Sequence, residues 1–368
     1  MKIAVIENNI IATNTIRRKL VDALQENGHH VTILTTGTKE AMNKAFENGY
    51  SVIDVNASTQ DPRDIYKYIS NLNKELKKIK PDVCLTFTIR PAIWGNIVTR
   101  KLNIPTITNI TGIGPLFERN NVAYRAARTL YKFVLKKTYK IFFQNHDDMK
   151  IFLDNKFVDE SRAERIPGSG IDHEYYLPQP SAENNFVFLF ISRLVKDKGI
   201  VEFVDAAKMV KLKHPSVIFR VMGPLWFQNL KDNLVTADEI EKWEKEGVIE
   251  YKGEAKDVRP FIADADCVVL PSYREGSSNV LLEASSMERP CITCDVTGCR
   301  DIVEHGVTGY LCKVQDAEDL ARKMSDILDL PEDERILMGK NARQKVIREY
   351  DKQIVINAYL RAVENAKK

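Results

Sequence analysis

The chain has 368 residues, of which 44% are hydrophobic and 29% charged. That balance excludes an intrinsically disordered chain and leaves room for two domains of ordinary size, each with its own core. A net charge of +3 is too small to indicate nucleic acid as a partner, so local clusters of charge say more than the total.

In chain order, residues 2–6, 31–35, 51–55, 83–86, 106–109 and 141–144 read as short β-rich strands, with helices predicted over 15–26, 65–79 and 91–102. The first apolar run, Ile3 to Ile6, ends at Glu7 and is too short for a signal peptide or a spanning helix. Around Ile166-Pro167-Gly168-Ser169-Gly170-Ile171-Asp172 the alternation stops, and Pro178 and Pro180 follow, which predicts a domain junction. It then restarts, with strands over 186–192, 217–223, 248–252, 267–270 and 291–293 and helices over 200–213, 237–246, 279–287 and 317–328. From Glu332 the tail is charged and helical. Repeated βα alternation predicts an α/β chain of two doubly wound parallel sheets. The domains expected are 1–168 and 169–348, followed by a terminal helical segment, 349–368. A cleft between two such domains is the default ligand site. Six cysteines in a chain of this size form no disulfide framework, so a reducing cytoplasm is expected.

The most informative run is Pro271-Ser272-Tyr273-Arg274-Glu275-Gly276-Ser277-Ser278-Asn279-Val280-Leu281-Leu282-Glu283-Ala284, which follows an apolar strand and opens a helix. Glu275 precedes a small-residue turn and Glu283 lies about two turns inside the helix. Free backbone amides at such a turn and helix start favour a phosphate. A second run, Ser192-Arg193-Leu194-Val195-Lys196-Asp197-Lys198-Gly199, follows the first strand of the second domain. Arg193 offers bidentate contact to phosphate oxygens and Lys198 a compact charge. Alone, this run reads as a solvated charged turn; paired with the first, it reads as a diphosphate site at the carboxyl ends of parallel strands. A glycosidase pair made of Glu275 and Glu283 stays open on spacing, because eight helical residues span about 12 Å, a turn shortens that, and such pairs need about 5–9.5 Å. The neighbouring cations favour a diphosphate leaving group.

Together with Gly168 to Asp172 and the run Asp295-Val296-Thr297-Gly298-Cys299-Arg300-Asp301-Ile302-Val303-Glu304 with Gly306 and Gly309, these motifs resemble the donor domain of the family 4 retaining glycosyltransferases, which have the two-domain GT-B fold. The resemblance covers nearly the whole chain. The run Thr108-Asn109-Ile110-Thr111-Gly112-Ile113-Gly114-Pro115-Leu116-Phe117 is similar to a bacterial subgroup that elongates polyprenyl-diphosphate-linked sugars, N-acetylgalactosaminyltransferases among them. The resemblance implies a UDP-sugar donor whose diphosphate meets Arg193, Lys198 and the amides of Gly276, Ser277, Ser278 and Asn279, with Val280 beside them. Glu275 would contact the transferred sugar and Glu283 the ribose. It implies an acceptor near Thr111, Gly112 and Gly114, and a terminal helix that packs on the first domain. No Asp-x-Asp metal motif is read before the donor site, and fixed cations can take a metal's place, so no cofactor and no metal are expected. Two features depart from the family: Glu7-Asn8-Asn9 stands where a Gly-rich loop is common, and no histidine lies near Thr111 to Gly114, which leaves Glu118 or no side-chain base. His146 is read as a helix cap and His305 as a loop residue. The Ser277-Ser278 pair stands where relatives often carry a bulkier residue.

Between Arg119 and Lys140 no acidic residue interrupts the basic ones. Arg125, Arg128, Lys132, Lys136 and Lys140 step by three or four along one helical face, with Val122, Ala126, Leu130, Phe133 and Val134 on another. This pattern predicts contact with an anionic membrane surface at the inner face of the cell membrane; the bland reading is a solvated face over a core stripe. Arg17, early in the first helix, is a further candidate for an acceptor phosphate. Cys291 and Cys294 fall on a strand and are read as buried thiols, not zinc ligands; Trp94, Trp226 and Trp243 are read as packing. The reading is a glycosyltransferase with a polyprenyl-diphosphate-linked acceptor. Its rivals are a UDP-sugar epimerase of similar architecture and a non-catalytic nucleotide-sugar or membrane-binding subunit.

Overall fold

The computed structural model describes residues 1–56, 62–113, 117, 122–225 and 233–366. Gly114, Glu118, Arg119 and Trp226 lie outside them. The chain forms two compact units, Met1–Ser169 with Lys352–Lys368, and Gly170–Asp351. The crossings fall at 169/170 and 351/352, close to the expected 168 and 348. The helix Glu332–Tyr350 stays whole in the second unit, and the helix Lys352–Asn365 belongs to the first.

The first unit contains strands β1 (Lys2–Ile6), β2 (His30–Thr35), β3 (Ser51–Asp54), β4 (Val83–Phe87), β5 (Thr106–Ile110), β6 (Lys140–Phe143) and β7 (Ala163–Arg165), all parallel, in the order β3-β2-β1-β4-β5-β6-β7. Successive β1 side chains point to opposite faces. Ile3 and Val5 pack with Val21 and Leu24 of the helix Arg18–Glu26 and with Tyr359 and Val363 of Lys352–Asn365. Ala4 and Ile6 pack with Leu72 and Leu76 of the helix Pro62–Ile79 and with Val98. Both faces are therefore covered, as expected of a doubly wound sheet.

The second unit contains β8 (Val187–Ile191), β9 (Ile218–Met222), β10 (Glu250–Tyr251), β11 (Cys267–Leu270), β12 (Cys291–Cys294) and β13 (Gly309–Cys312), in the order β10-β9-β8-β11-β12-β13 and again parallel. The run Val187-Phe188-Leu189-Phe190-Ile191 is buried throughout, because helices cover both faces of the strand. From the neighbouring pair β8 and β11 the chain order runs outward in both directions, which makes this pair the topological switch point.

Some local expectations are corrected. The short edge strands β7 and β13 and the Thr38-capped helix Lys39–Glu47 were not predicted. Asn145, not His146, caps the helix His146–Asp154: its side-chain oxygen accepts from the Asp148 amide at 2.7 Å. The single helix expected over 15–26 is two, Ile10–Asn14 and Arg18–Glu26. The break between them turns Arg17 inward, leaving it 6% exposed. Its Nε lies 3.0 Å from Glu7 Oε1, and its guanidinium lies 4.3 Å above the Phe87 ring. Arg17 is thus an internal ion-pair residue, not a surface group waiting for an acceptor phosphate.

Candidate active site

Three loops meet at the carboxyl edge of the second sheet. Residues 192–199 follow β8, residues 271–278 follow β11, and residues 295–299 follow β12. Gly199 ends the first with φ +78°, and a Cβ there would fall 2.1 Å from the Pro271 carbonyl oxygen. The first two loops therefore touch backbone to backbone. The Asp197 carbonyl accepts from the Tyr273 amide at 2.9 Å and from Ser272 Oγ at 3.3 Å. Tyr273 in turn donates to Glu202 Oε1 at 2.7 Å; burial, and then that hydrogen bond, push its hydroxyl up to about 12.

The third loop closes on the second. The Glu275 amide donates to Thr297 O, and the Ser278 amide to Gly298 O, each at 3.2 Å. Gly298 has φ +76°, and a Cβ would lie 2.4 Å from Glu275 O. This corrects one expectation: the Ser278 amide is committed to the protein and is not available to an anion. Ser278 instead caps the helix Asn279–Ser286, with its Oγ accepting from Leu281 N at 3.4 Å. The Asn279 and Val280 amides remain as first-turn donors with no acceptor in their own helix. The buried Ser277 hydroxyl makes no hydrogen bond among the described residues.

On this frame two of the sequence-predicted side chains meet. Lys198 Nζ lies 2.6 Å from Glu275 Oε1, both largely buried at 15% and 16% side-chain exposure. Arg193 is exposed at the head of the first loop. Glu283 sits a little over one turn from the Ser278 cap, nearer than expected, and accepts a hydrogen bond from the Tyr176 hydroxyl at 3.1 Å. Burial, and next the Glu283 charge, hold that hydroxyl well above its ordinary value, so it stays a donor. Burial also pushes the Cys299 thiol up, with the Glu275 charge adding to it. Tyr176 escaped the sequence reading: it lies 107 residues from Glu283, and only its place soon after the Gly168 to Asp172 junction hinted at a role.

The cysteines are free and buried, including Cys291 and Cys294. Among the described residues no group of three or more His, Cys, Asp or Glu side chains is placed to hold a metal. An Asp-x-Asp sequence, Asp264-Ala265-Asp266, does precede β11, and the reading of the motifs passed over it. It lies at the amino end of that strand, opposite the three loops. Asp264 accepts from the Ala182 amide at 3.0 Å and Asp266 from the Val187 amide at 2.8 Å.

In the first unit, Thr111 and Gly112 follow β5 at the carboxyl edge of that sheet. Asn9 makes a capped turn in place of a Gly-rich loop, its side chain accepting from Ile11 N at 2.9 Å. The basic run forms the helix Val122–Leu135, with Arg125, Lys132 and the following Lys136 exposed and Arg128 half-buried. Lys132 Nζ donates to Asn155 O at 3.1 Å. Two details are corrected. Lys140 starts β6 and pairs with Glu164 at 2.7 Å, so it is no part of the helical face. The buried stripe is Tyr131, Val134 and Leu135, whereas Val122 and Phe133 are 77% and 57% exposed beside the cations. Arg100 lies 4.3 Å above the Phe133 ring. No described helix is long and apolar enough to cross a membrane.

A doubly wound domain whose loops converge at its switch point has the architecture in which ligands bind at the carboxyl ends of the strands. Within that architecture the identity is specific. Residues 177–345 match the family model for glycosyl transferases group 1, and residues 2–145 match that for the glycosyl transferase 4-like domain. The chain belongs to the glycosyltransferases of the GT-B class, with a 4-like first domain and a group 1 second domain. That membership answers the epimerase and non-catalytic alternatives. The chain is 27% identical over 301 residues to an Escherichia coli UDP-Gal:α-D-GlcNAc-diphosphoundecaprenol α-1,3-galactosyltransferase, covering 76% of this chain and 74% of that one. It is 25% identical over 366 residues to a Campylobacter jejuni N,N'-diacetylbacillosaminyl-diphospho-undecaprenol α-1,3-N-acetylgalactosaminyltransferase, covering 94% and 93%. The fold is similar to that of Anabaena HepE, solved with UDP-glucose, at a TM-score of 0.81 and 16% identity over 99% of this chain and 100% of that one.

Proposed function

We propose that this glycosyltransferase moves a sugar, first an N-acetylhexosamine such as N-acetylgalactosamine, from its UDP donor to a polyprenyl-diphosphate-linked saccharide, with retention at the anomeric carbon. The observation that carries the donor half is the Lys198–Glu275 contact at 2.6 Å beside the start of the helix Asn279–Ser286. Glu275 holds the Lys198 ammonium where a diphosphate on the Asn279 and Val280 amides would meet it, and Arg193 adds a forked donor. The sugar's C1–oxygen bond breaks with its electron pair on the diphosphate, and an acceptor hydroxyl bonds to C1 on the same face, its proton passing to the departing diphosphate oxygen. Charge grows on the leaving diphosphate as this happens, so cations aimed there favour the transition state over the bound substrate. These fixed cations support transfer without a required metal. Glu283 would accept from the ribose hydroxyls and Glu275 from the transferred sugar.

The acceptor half is supported by the two undecaprenol-linked relatives. It would bind near Thr111, Gly112 and Gly114. The exposed Val122 and Phe133 among Arg125, Arg128, Lys132 and Lys136 would hold the protein peripherally on the anionic inner face of the cell membrane, where a lipid-linked acceptor is presented. The test is thermal shift against UDP, GDP, dTDP and CMP sugars with the free nucleotides as controls. Ligand at 100 times its dissociation constant adds about 2.7 kcal/mol. Stabilisation by UDP and one UDP-sugar, lost in Glu283→Ala, is the expected result; no response to any nucleotide removes the reading.

A further inference from the structure

We propose that Tyr176 is a positioning residue of the nucleotide site, whose hydroxyl orients the Glu283 carboxylate for a ribose diol; this rests on the role given to Glu283 above. The geometry is local to the second unit. The Tyr176 hydroxyl donates to Glu283 Oε1 at 3.1 Å. A carboxylate on a helix surface turns freely about its terminal bond, and freezing it on binding costs free energy. A donor fixed on one oxygen sets the direction of both, and a carboxylate, with about four lone-pair sites, can accept from sugar hydroxyls as well.

The donor itself is fixed. The Tyr176 amide donates to Asp172 O at 3.0 Å. Its carbonyl accepts from Ser286 Oγ at 2.8 Å and from Arg343 Nη1 at 3.1 Å. The same Arg343 reaches the Ser286 carbonyl and donates to His173 O at 3.2 Å. One guanidinium on the helix Glu332–Tyr350 therefore ties the segment carrying Tyr176 to the end of the helix carrying Glu283. The Tyr176 ring stands edge-on to Tyr175 at 5.1 Å, and Arg259 covers Tyr175 at 3.8 Å. Nothing in this arrangement needs the hydroxyl for packing, so Tyr176→Phe removes the hydrogen bond and keeps the ring.

Calorimetric titration of wild type, Tyr176→Phe and Glu283→Gln with UDP and with 2′-deoxy-UDP tests this. Wild type is expected to prefer UDP. In Tyr176→Phe the affinity for UDP falls about three- to tenfold, the range of one ordinary hydrogen bond's net contribution, while that for 2′-deoxy-UDP changes less than about twofold. The ribose preference therefore shrinks, as it does in Glu283→Gln. A folded Tyr176→Phe protein that keeps the wild-type preference overturns the proposal, as does one that loses both affinities equally, which marks a merely structural role. Wild type that binds neither nucleotide overturns the nucleotide-site reading itself, and this proposal with it.

Discussion

Lys198 and Glu275 stand 77 residues apart in the chain and 2.6 Å apart in the fold. They meet because β8 and β11 are neighbours at the switch point and each loop rises from the carboxyl end of its strand. Lys198→Ala should lower turnover roughly 100- to 1,000-fold, the usual effect of deleting one preorganised donor to a developing oxyanion. KM should move far less, because the charge it meets grows in the transition state. Steady-state kinetics with the donor varied would check this. An equal rise in KM with turnover unchanged would mean that Lys198 serves ground-state binding alone.

Gly298 gives a backbone test of the same site. Its φ of +76° and the 2.4 Å approach of a Cβ to Glu275 O leave no room for a side chain. Gly298→Ala should cost about 1–3 kcal/mol and displace the Glu275 loop, with weaker UDP binding in the protein that still folds. Gly306, also at positive φ with nothing within 4 Å of its Cβ position, is the control. Gly306→Ala should share the strain of a positive φ and leave UDP binding intact. Loss of UDP binding in both would locate the effect in global stability.

The donor loops were legible in the sequence because each is one contiguous strand–loop–helix run, with Arg193, Lys198, Glu275 and Glu283 at fixed offsets from an apolar strand. Their place together at one sheet edge was legible as well; the direct Lys198–Glu275 contact was not, since strand adjacency is decided by the topology of the whole sheet. Tyr176 was hidden for the same reason. Arg17 was misplaced because residues 15–26 carry a helical pattern, and nothing local marks the break that turns one residue inward. The edge strands β7 and β13 were missed because each is only 3 or 4 residues long, too short for a period-two signal.

The exposed face of the helix Val122–Leu135 should bind anionic vesicles. Each Lys or Arg near such a surface contributes about 1 kcal/mol, so Arg125→Gln/Lys132→Gln/Lys136→Gln should weaken partitioning by roughly 150-fold at low salt. Phe133→Ser should weaken it further with little change in salt dependence. Flotation with phosphatidylglycerol-containing and with neutral vesicles would decide it. Wild-type binding that is the same on both vesicles would sink the electrostatic account.

The buried pair Glu7 and Arg17 predicts a pH-dependent phenotype. Burial holds the Glu7 carboxyl above its ordinary value of 4.5, and the Arg17 charge and then a Thr13 hydrogen bond at 3.1 Å oppose that shift. The 3.0 Å contact with Arg17 is an ion pair, and among the described residues that carboxylate oxygen accepts no hydrogen bond. An acid raised in the folded state binds more protons folded than unfolded, so stability falls as pH rises above its unfolded value toward its folded one. Arg17→Met removes the opposing charge and raises the folded value further. Its stability deficit should therefore be small near pH 4.5 and grow toward neutrality, approaching the roughly 3–5 kcal/mol of a broken buried pair. Glu7→Gln removes this titration, so its deficit should shrink as pH rises across the same range, because the wild type itself loses stability there. The double variant Glu7→Gln/Arg17→Met should recover most of the loss at neutral pH, since apolar replacement of both partners is often neutral or stabilising. Melting temperatures of the four proteins from pH 5 to pH 8 give the comparison; a flat Arg17→Met deficit would mean that Glu7 stays ionised throughout.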